Sequence, residues 1–300
     1  MTDHAVSPDA VLDTLSQELP PDLRNHVVIV GSLAAAYHFR VEIRGPIRTK
    51  DADLAIRPAG AIDKCEHIAQ RLLTDGWRRT KDCVPRSTAN HPELRAIRLN
   101  PPEHENYYAE LLGLPSKGQT ESKLWEPCRL DDGWYGIPCF RYLGLADHHR
   151  QKSEAGLAYA SPAMMALANL LSHPTVGDEV MLAPIGGRTI RRAAKDLGRV
   201  LALSFLAGRE VVETWPSLWV AALRAEFSDD CSELARRSGD GLRALLQAPD
   251  ALEEARHAVD IGLLNGRGIT VEQLEATGAR FIADAVEPLS KLFKYEHRTR

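Results

Sequence analysis

Periodicity divides these 300 residues into an α/β (α+β) sheet domain, residues 1–150, and an all-α helical bundle, residues 151–300. Three observations carry this division. Up to about Leu145, short apolar runs at strand spacing mix with helical stretches. From Ser161 onward the chain reads as helices punctuated by Gly, Pro and Asp. Between them, about residues 145 to 160, neither pattern holds.

In the first part, His26 to Val30 is an apolar, β-branched run that meets Gly31 and Ser32 ahead of the helix-like Leu33 to Phe39, giving strand, turn, helix. Beyond Gly45 and Pro46, Asp51 to Ile56 suits a strand with one polar face. Ile62 to Leu73 has helical spacing and stops near Gly76. Glu93 to Leu99, Tyr107 to Leu112 and Ile137 to Tyr142 read as further strands. Ser161 and Pro162 form a helix start, hydroxyl as N-cap and proline in the first turn. Helices are then expected over Ala163 to Leu171, Thr189 to Phe205, Glu210 to Phe227, Cys231 to Leu246, Ala251 to Leu264 and Val271 to Phe293, the last broken near Pro288.

Composition excludes several classes. With 44% hydrophobic and 26% charged residues the chain is an ordinary globular sequence, not a disordered, collagenous or disulfide-rich one. The halves are balanced, 19 basic against 21 acidic residues in the first 150 and 18 against 20 in the rest, so any nucleic acid must be met by a local patch. Five widely spaced cysteines without a CxxC pair argue against both disulfides and a thiolate zinc site. The first 21 residues contain acidic groups and no signal-like apolar core, and no apolar run reaches membrane-span length. An unprocessed cytoplasmic protein is expected.

Asp51 and Asp53 lie two apart, so on a strand both carboxylates leave one face and can converge on a divalent cation. Gly31 and Ser32 sit at a strand-to-helix turn, where backbone N–H groups and the positive helix end favour a phosphate. A phosphate cradle and an oxygen-ligand cage are the two needs of phosphoryl-type chemistry.

Val27 to Ser32 (VVIVGS) followed by Arg48 to Ile56 (RTKDADLAI) resembles the signature of the DNA polymerase beta-like nucleotidyltransferase superfamily. The resemblance implies transfer of a nucleoside monophosphate from a nucleoside triphosphate such as ATP to a hydroxyl acceptor. It also implies two magnesium ions, replaceable by manganese, on two acids and a third on a neighbouring strand. Asp51 and Asp53 match the first two acids; Glu110 in Tyr107 to Gly113 (YYAELLG) is the expected third, with Glu103 and Glu105 as alternatives. Within the superfamily the chain is similar to bacterial enzymes of the abortive-infection toxin type, which carry a helical domain behind the catalytic one. That likeness implies an RNA acceptor and an antitoxin protein as partner, and it rests on Ser161, Pro162 and the Lys195–Asp196 pair. The first helix often carries a lysine in that group, where this chain has Asn169. Two other readings stand beside it: transfer to a small antibiotic-like molecule, and a non-catalytic module that binds a nucleotide or a protein.

Arg188, Arg191, Arg192, Lys195 and Arg199 would share one stripe of a continuous helix. Of these Arg191, Arg192 and Lys195, with Arg48 from the loop before the acids, are the expected triphosphate contacts beside Gly31 and Ser32. His148 and His149, being adjacent, are read as a linker face rather than a metal pair. Trp77, Trp125, Trp134, Trp215 and Trp219 show no interleaving with basic residues of the kind stacking platforms use; Trp215 and Trp219, at i, i+4, are read as packing, and no function is assigned to the five.

Overall fold

A computed structural model describes residues 6–45, 49–80, 93–102 and 106–296. The chain forms two compact units, one of Met1–Tyr37 and Arg48–Ser161, the other of His38–Ile47 and Pro162–Arg300. The first is a mixed α/β sheet unit and the second is helical.

The sheet unit opens with α1 (Pro8–Glu18), capped where Ser7 Oγ accepts from the Ala10 N–H, and the single turn α2 (Pro21–Arg24). Strand β1 (Val27–Val30) is buried along its whole length, as befits a run with no polar side chain, and leads into α3 (Gly31–His38). Then come β2 (Asp51–Ile56) and α4 (Ile62–Thr74), which buries Cys65, Ile68, Ala69 and Leu72, one face at i, i+3, i+4, i+7 spacing. The remaining strands are β3 (Arg78–Arg79), β4 (Arg95–Ala96), β5 (Arg98–Asn100), β6 (Tyr108–Gly113), β7 (Lys123–Leu130), β8 (Gly133–Phe140), β9 (Gln151–Lys152) and β10 (Ala158–Tyr159). Among the described residues all ten strands join one sheet in the order β3-β5-β6-β2-β1-β10-β9, with β8 branching from β6 and carrying β4 and β7.

Two sequence expectations are corrected here. The sheet unit runs on to Ser161 rather than ending at residue 150, because β10 pairs in parallel with β1 at Val28↔Ala158 and Ile29↔Tyr159. The third expected strand, 137–142, lies four residues earlier at its start and two at its end, as β8, and pairs with β7 in a long ribbon closed by a two-residue turn at Asp131 and Asp132 before Gly133.

The helical unit contains α5 (Pro162–Ser172), α6 (Arg192–Ala207), α7 (Arg209–Val212), α8 (Trp215–Glu226), α9 (Cys231–Arg237), α10 (Asp240–Leu246), α11 (Pro249–Ile261), α12 (Val271–Phe281) and α13 (Glu287–Glu296). Helix α6 is central. Gly198 lets it approach α11, since a Cβ there would lie 3.2 Å from Ala255 Cβ. Trp215, Trp219 and Phe281 pack ring against ring at centroid distances of 5.9 to 6.0 Å, and Trp219 Nε1 donates to Ala163 O at 2.8 Å. A single π-helical turn, Ile282–Val286, joins α12 to α13. Pro288, lacking an N–H and crowding the carbonyl four residues back, accounts for it. The expected 231–246 helix is split at Gly239, whose Cβ would fall 2.4 Å from Val286 Cγ1.

Among the described residues no helix is long and apolar enough to cross a membrane. The helical unit also holds a largely buried ionic contact. Asp196 on α6, 16% exposed, accepts from His173 Nε2 at 2.9 Å and lies 3.8 Å from Arg199 Nη1. Burial alone would raise its carboxyl, but the His173 hydrogen bond and the charges of Arg199 and Lys195 outweigh this and hold it well below the ordinary aspartate range. Replacing Asp196 by Asn should therefore cost about 3 kcal/mol at neutral pH. A depressed carboxyl contributes stability above its unfolded value, near 3.8, that is lost as pH falls, so the gap between wild type and D196N should narrow in acid. Urea unfolding at neutral pH and in acid measures both.

Candidate functional site

The site is built where β1, β2 and β6 lie side by side. Strand β1 runs antiparallel to β2 with Val30 opposite Asp53, and β2 runs parallel to β6 with Asp51 opposite Tyr108 and Asp53 opposite Glu110. Paired residues share a sheet face, so the side chains of Asp51, Asp53, Tyr108 and Glu110 leave the same face. Ala52, Leu54, Ala109 and Leu111 point the other way and are buried.

Gly31 closes the site at the β1–α3 turn. Its φ is +71°, and a Cβ would lie 2.5 Å from Asp53 Oδ2. Only glycine fits there, because any side chain would collide with the carboxylate and strain the backbone. Ser32 follows in the first turn of α3. Thr49, which sequence reasoning passed over, is buried and donates from Oγ1 to Asp51 Oδ1 at 2.8 Å.

Arg98 was also missed, and it changes the reading of Glu110. It stands opposite Glu110 across β5 and β6, and Nε donates to Oε2 at 3.0 Å while Nη2 donates to Oε1 at 3.3 Å. The Glu110 side chain is 12% exposed. Burial raises its carboxyl above the ordinary glutamate value, the Asp51 charge adds to this, and the charge and hydrogen bonds of Arg98 oppose it. The Arg98 guanidinium also lies 5.1 Å from the centre of the Tyr108 ring. Burial, with the Asp51 charge, pushes the Tyr108 hydroxyl up.

The resemblance implies magnesium ions at these acids. Asp51 and Asp53 supply hard oxygen ligands two positions apart on one face, which suits a divalent cation. Glu110 does not complete the set in this arrangement, since both its oxygens bond to Arg98. Among the described residues no three His, Cys, Asp or Glu side chains gather closely enough to hold an ion. Arg48, Glu103 and Glu105 lie outside the described residues.

The basic stripe is corrected as well. Helix α6 begins only at Arg192, with Arg191 extended at φ −62° and ψ 138° as its N-cap, so Arg188 and Arg191 are not on the helix. Arg191 donates from its backbone N, Nε and Nη2 to Glu254 at 2.7 to 3.0 Å. Arg192 Nε donates to Glu179 at 2.9 Å, and Arg188 to Glu253 at 3.2 Å. Lys195 is half-buried on α6 beside Asp196.

No protein-family model matches the chain, and no curated protein does. Among solved structures, one described as a candidate nucleotidyltransferase from H. pylori is 12% identical, with 97% of this chain and 98% of that chain covered at a TM-score of 0.42. JHP933 from Helicobacter pylori is 14% identical, with 99% and 98% covered at a TM-score of 0.43.

Two substitutions probe this arrangement. Gly31→Ala should destabilise the sheet unit by at least about 2 kcal/mol, through the positive φ and the Asp53 collision together. Arg98→Met should cost about 3 kcal/mol by stranding a buried carboxylate, and Glu110→Gln in the same chain should restore most of it. Without Arg98 the Glu110 carboxyl rises further, so R98M should be most stable in acid and weaken as pH climbs through the raised value. Denaturation midpoints across pH for R98M, E110Q and the double variant check this.

Proposed function

We propose that the sheet unit transfers a nucleoside monophosphate from a nucleoside triphosphate to a hydroxyl acceptor. The observation that supports it best is the placing of Asp51 and Asp53 on one face of β2, with Asp53 against the Gly31 turn. A metal pair would then adjoin a phosphate cradle. In this reading Asp51 and Asp53 hold Mg2+ or Mn2+, which when bound neutralises charge on the α-phosphoryl group and lowers the pKa of the attacking hydroxyl.

The chain's own residues do the rest. Backbone N–H groups at Gly31 and Ser32, with the Ser32 hydroxyl, receive the β and γ phosphates at the positive end of α3. Thr49 holds the Asp51 carboxylate in one orientation through its 2.8 Å hydrogen bond. Glu110, in register with Asp53, takes the hydroxyl proton; its raised affinity for protons suits a general base, and Arg98 positions it. The acceptor oxygen bonds to the α-phosphorus as the bond to the bridging oxygen breaks and pyrophosphate leaves, a step governed by positioning and electrostatics. Arg191 and Arg192 are paired with Glu254 and Glu179.

One observation favours a second reading, a module that binds a nucleotide without turning it over: both oxygens of Glu110 are already occupied by Arg98. Incubation with magnesium, each α-labelled triphosphate and total RNA separates the two. Transfer predicts label on an acceptor, release of pyrophosphate and loss of both on chelation. Asp51→Asn and Asp53→Asn should each lower the rate by about a thousandfold or more. Binding of the triphosphate without pyrophosphate release supports the module, and turnover that survives in the D51N D53N double variant overturns the metal-pair reading.

A further inference from the structure

The β7–β8 ribbon carries side chains that the reaction does not use, and register places them on the face that bears the acids. Gly113 of β6 is opposite Cys139 of β8, and both point toward the α4 side, so Glu110 and Leu112 share the opposite face with Pro138 and Phe140. Across the ribbon Lys123 is opposite Phe140, and Arg129 is opposite Trp134. The eight positions of this ribbon face hold two cations, three aromatic rings, two prolines, one glycine and no acid.

In space, though not along the sequence, the aromatic and basic groups interleave. Lys123 Nζ lies 4.6 Å from the Trp125 ring centre and 4.8 Å from that of Phe140. The Trp125 ring is laid against the Gly136 backbone, where a Cβ would fall 2.5 Å from its Cε3. The Arg129 guanidinium is 5.5 Å from the Trp134 ring centre, and Trp134 is 47% exposed. The turn acids are committed elsewhere: Asp131 accepts from Gln70 at 2.8 Å and Asp132 from Arg79 at 2.7 Å. At the inner end of the ribbon, the Lys123 charge lies near enough to Glu110 to favour its ionised form.

We infer that this face of the ribbon is a binding platform for a single-stranded nucleic acid, which supplies the acceptor hydroxyl to the acids on the same face. The inference rests on the transferase reading for what happens to the strand, but not for whether it binds. An exposed indole offers a surface on which any base stacks. Beside it, Arg129 and Lys123 are held on ring faces, where cationic groups can meet a phosphate backbone. The acid-free face matches a polyanion, and in a chain of net charge −4 such a patch is the means of holding one.

The test is fluorescence anisotropy of the full-length protein with labelled oligonucleotides of about twelve nucleotides, single-stranded RNA, single-stranded DNA and duplex, without nucleotide or metal. Single strands should bind and duplex should bind more weakly; the RNA and DNA arms show which sugar is preferred. Trp134→Ala should weaken binding roughly tenfold, with no more than a small change in melting temperature because the ring is half-exposed. Lys123→Ala and Arg129→Ala should each reduce the slope of log K against log salt by about 0.7. Failure to bind single strands, equal binding of duplex, or full affinity in W134A and R129A overturns the platform. The two readings fail separately. Strand binding without any label transfer defeats the transferase reading alone, and label transfer only to acceptors that are not nucleic acids defeats the platform alone.

Discussion

Strands β2 and β6 have the same burial pattern, exposed-leaning at positions one and three and buried elsewhere, and they pair in parallel without a shift. A strand of this kind can be read in one register only. Sliding β6 by a single residue would carry Ala109 and Leu111 to the polar face and press Glu110 into the α4 layer. The apolar half of each strand thus fixes where its acidic half goes. Burial of Ala52, Leu54, Ala109 and Leu111 is the force that sets Asp51, Asp53 and Glu110 on one face; the acids themselves repel one another.

That repulsion needs an opposing charge, and the sheet provides it from inside. Arg98 stands beside Glu110 on β5 and bonds both of its oxygens, while Thr49 satisfies Asp51 and the Gly31 turn admits the Asp53 carboxylate. A buried ion pair of this type adds little net stability over an apolar pair, yet removing one partner is costly. It therefore reads as a device for holding carboxylates in place rather than for stabilising the unit. The same rule acts in the helical unit, where Asp196 is tied to His173 and Arg191 to Glu254.

Much of the fold was legible because local signals agreed with tertiary ones. The β1 run, the glycine turn, the bounds of β2 and the strand around Glu110 all follow from apolar runs, one required glycine and period-two alternation. What was not legible depends on partners distant in sequence. Arg98 gains its meaning only from the β5–β6 pairing, twelve residues away from Glu110. The arginine stripe assumed a helix running from about Thr189, whereas an extended Arg191 delays its start to Arg192, and helical spacing alone could not show where the helix starts. Strand β7 was hidden by Pro127, and the first half of β8 by Gly136, residues that depress strand propensity. The Asp132–Gly133 pair at the turn was the one available signal for that hairpin.

The hidden hairpin also explains why the tryptophans looked idle in sequence. Along the chain Trp125 and Trp134 are separated from most of their basic neighbours, but antiparallel pairing folds Trp134 back onto Arg129 and Phe140 back onto Lys123. The glycine that obscures the start of β8 serves the same end: Gly136 leaves room for a flat indole. A face that only stabilised the hairpin would gain by covering Trp134, since burying an indole returns more free energy than leaving it in water. Its exposure at the open end of the ribbon, with an arginine on one side and the acids further along the same face, is what a surface awaiting a planar, anionic ligand requires.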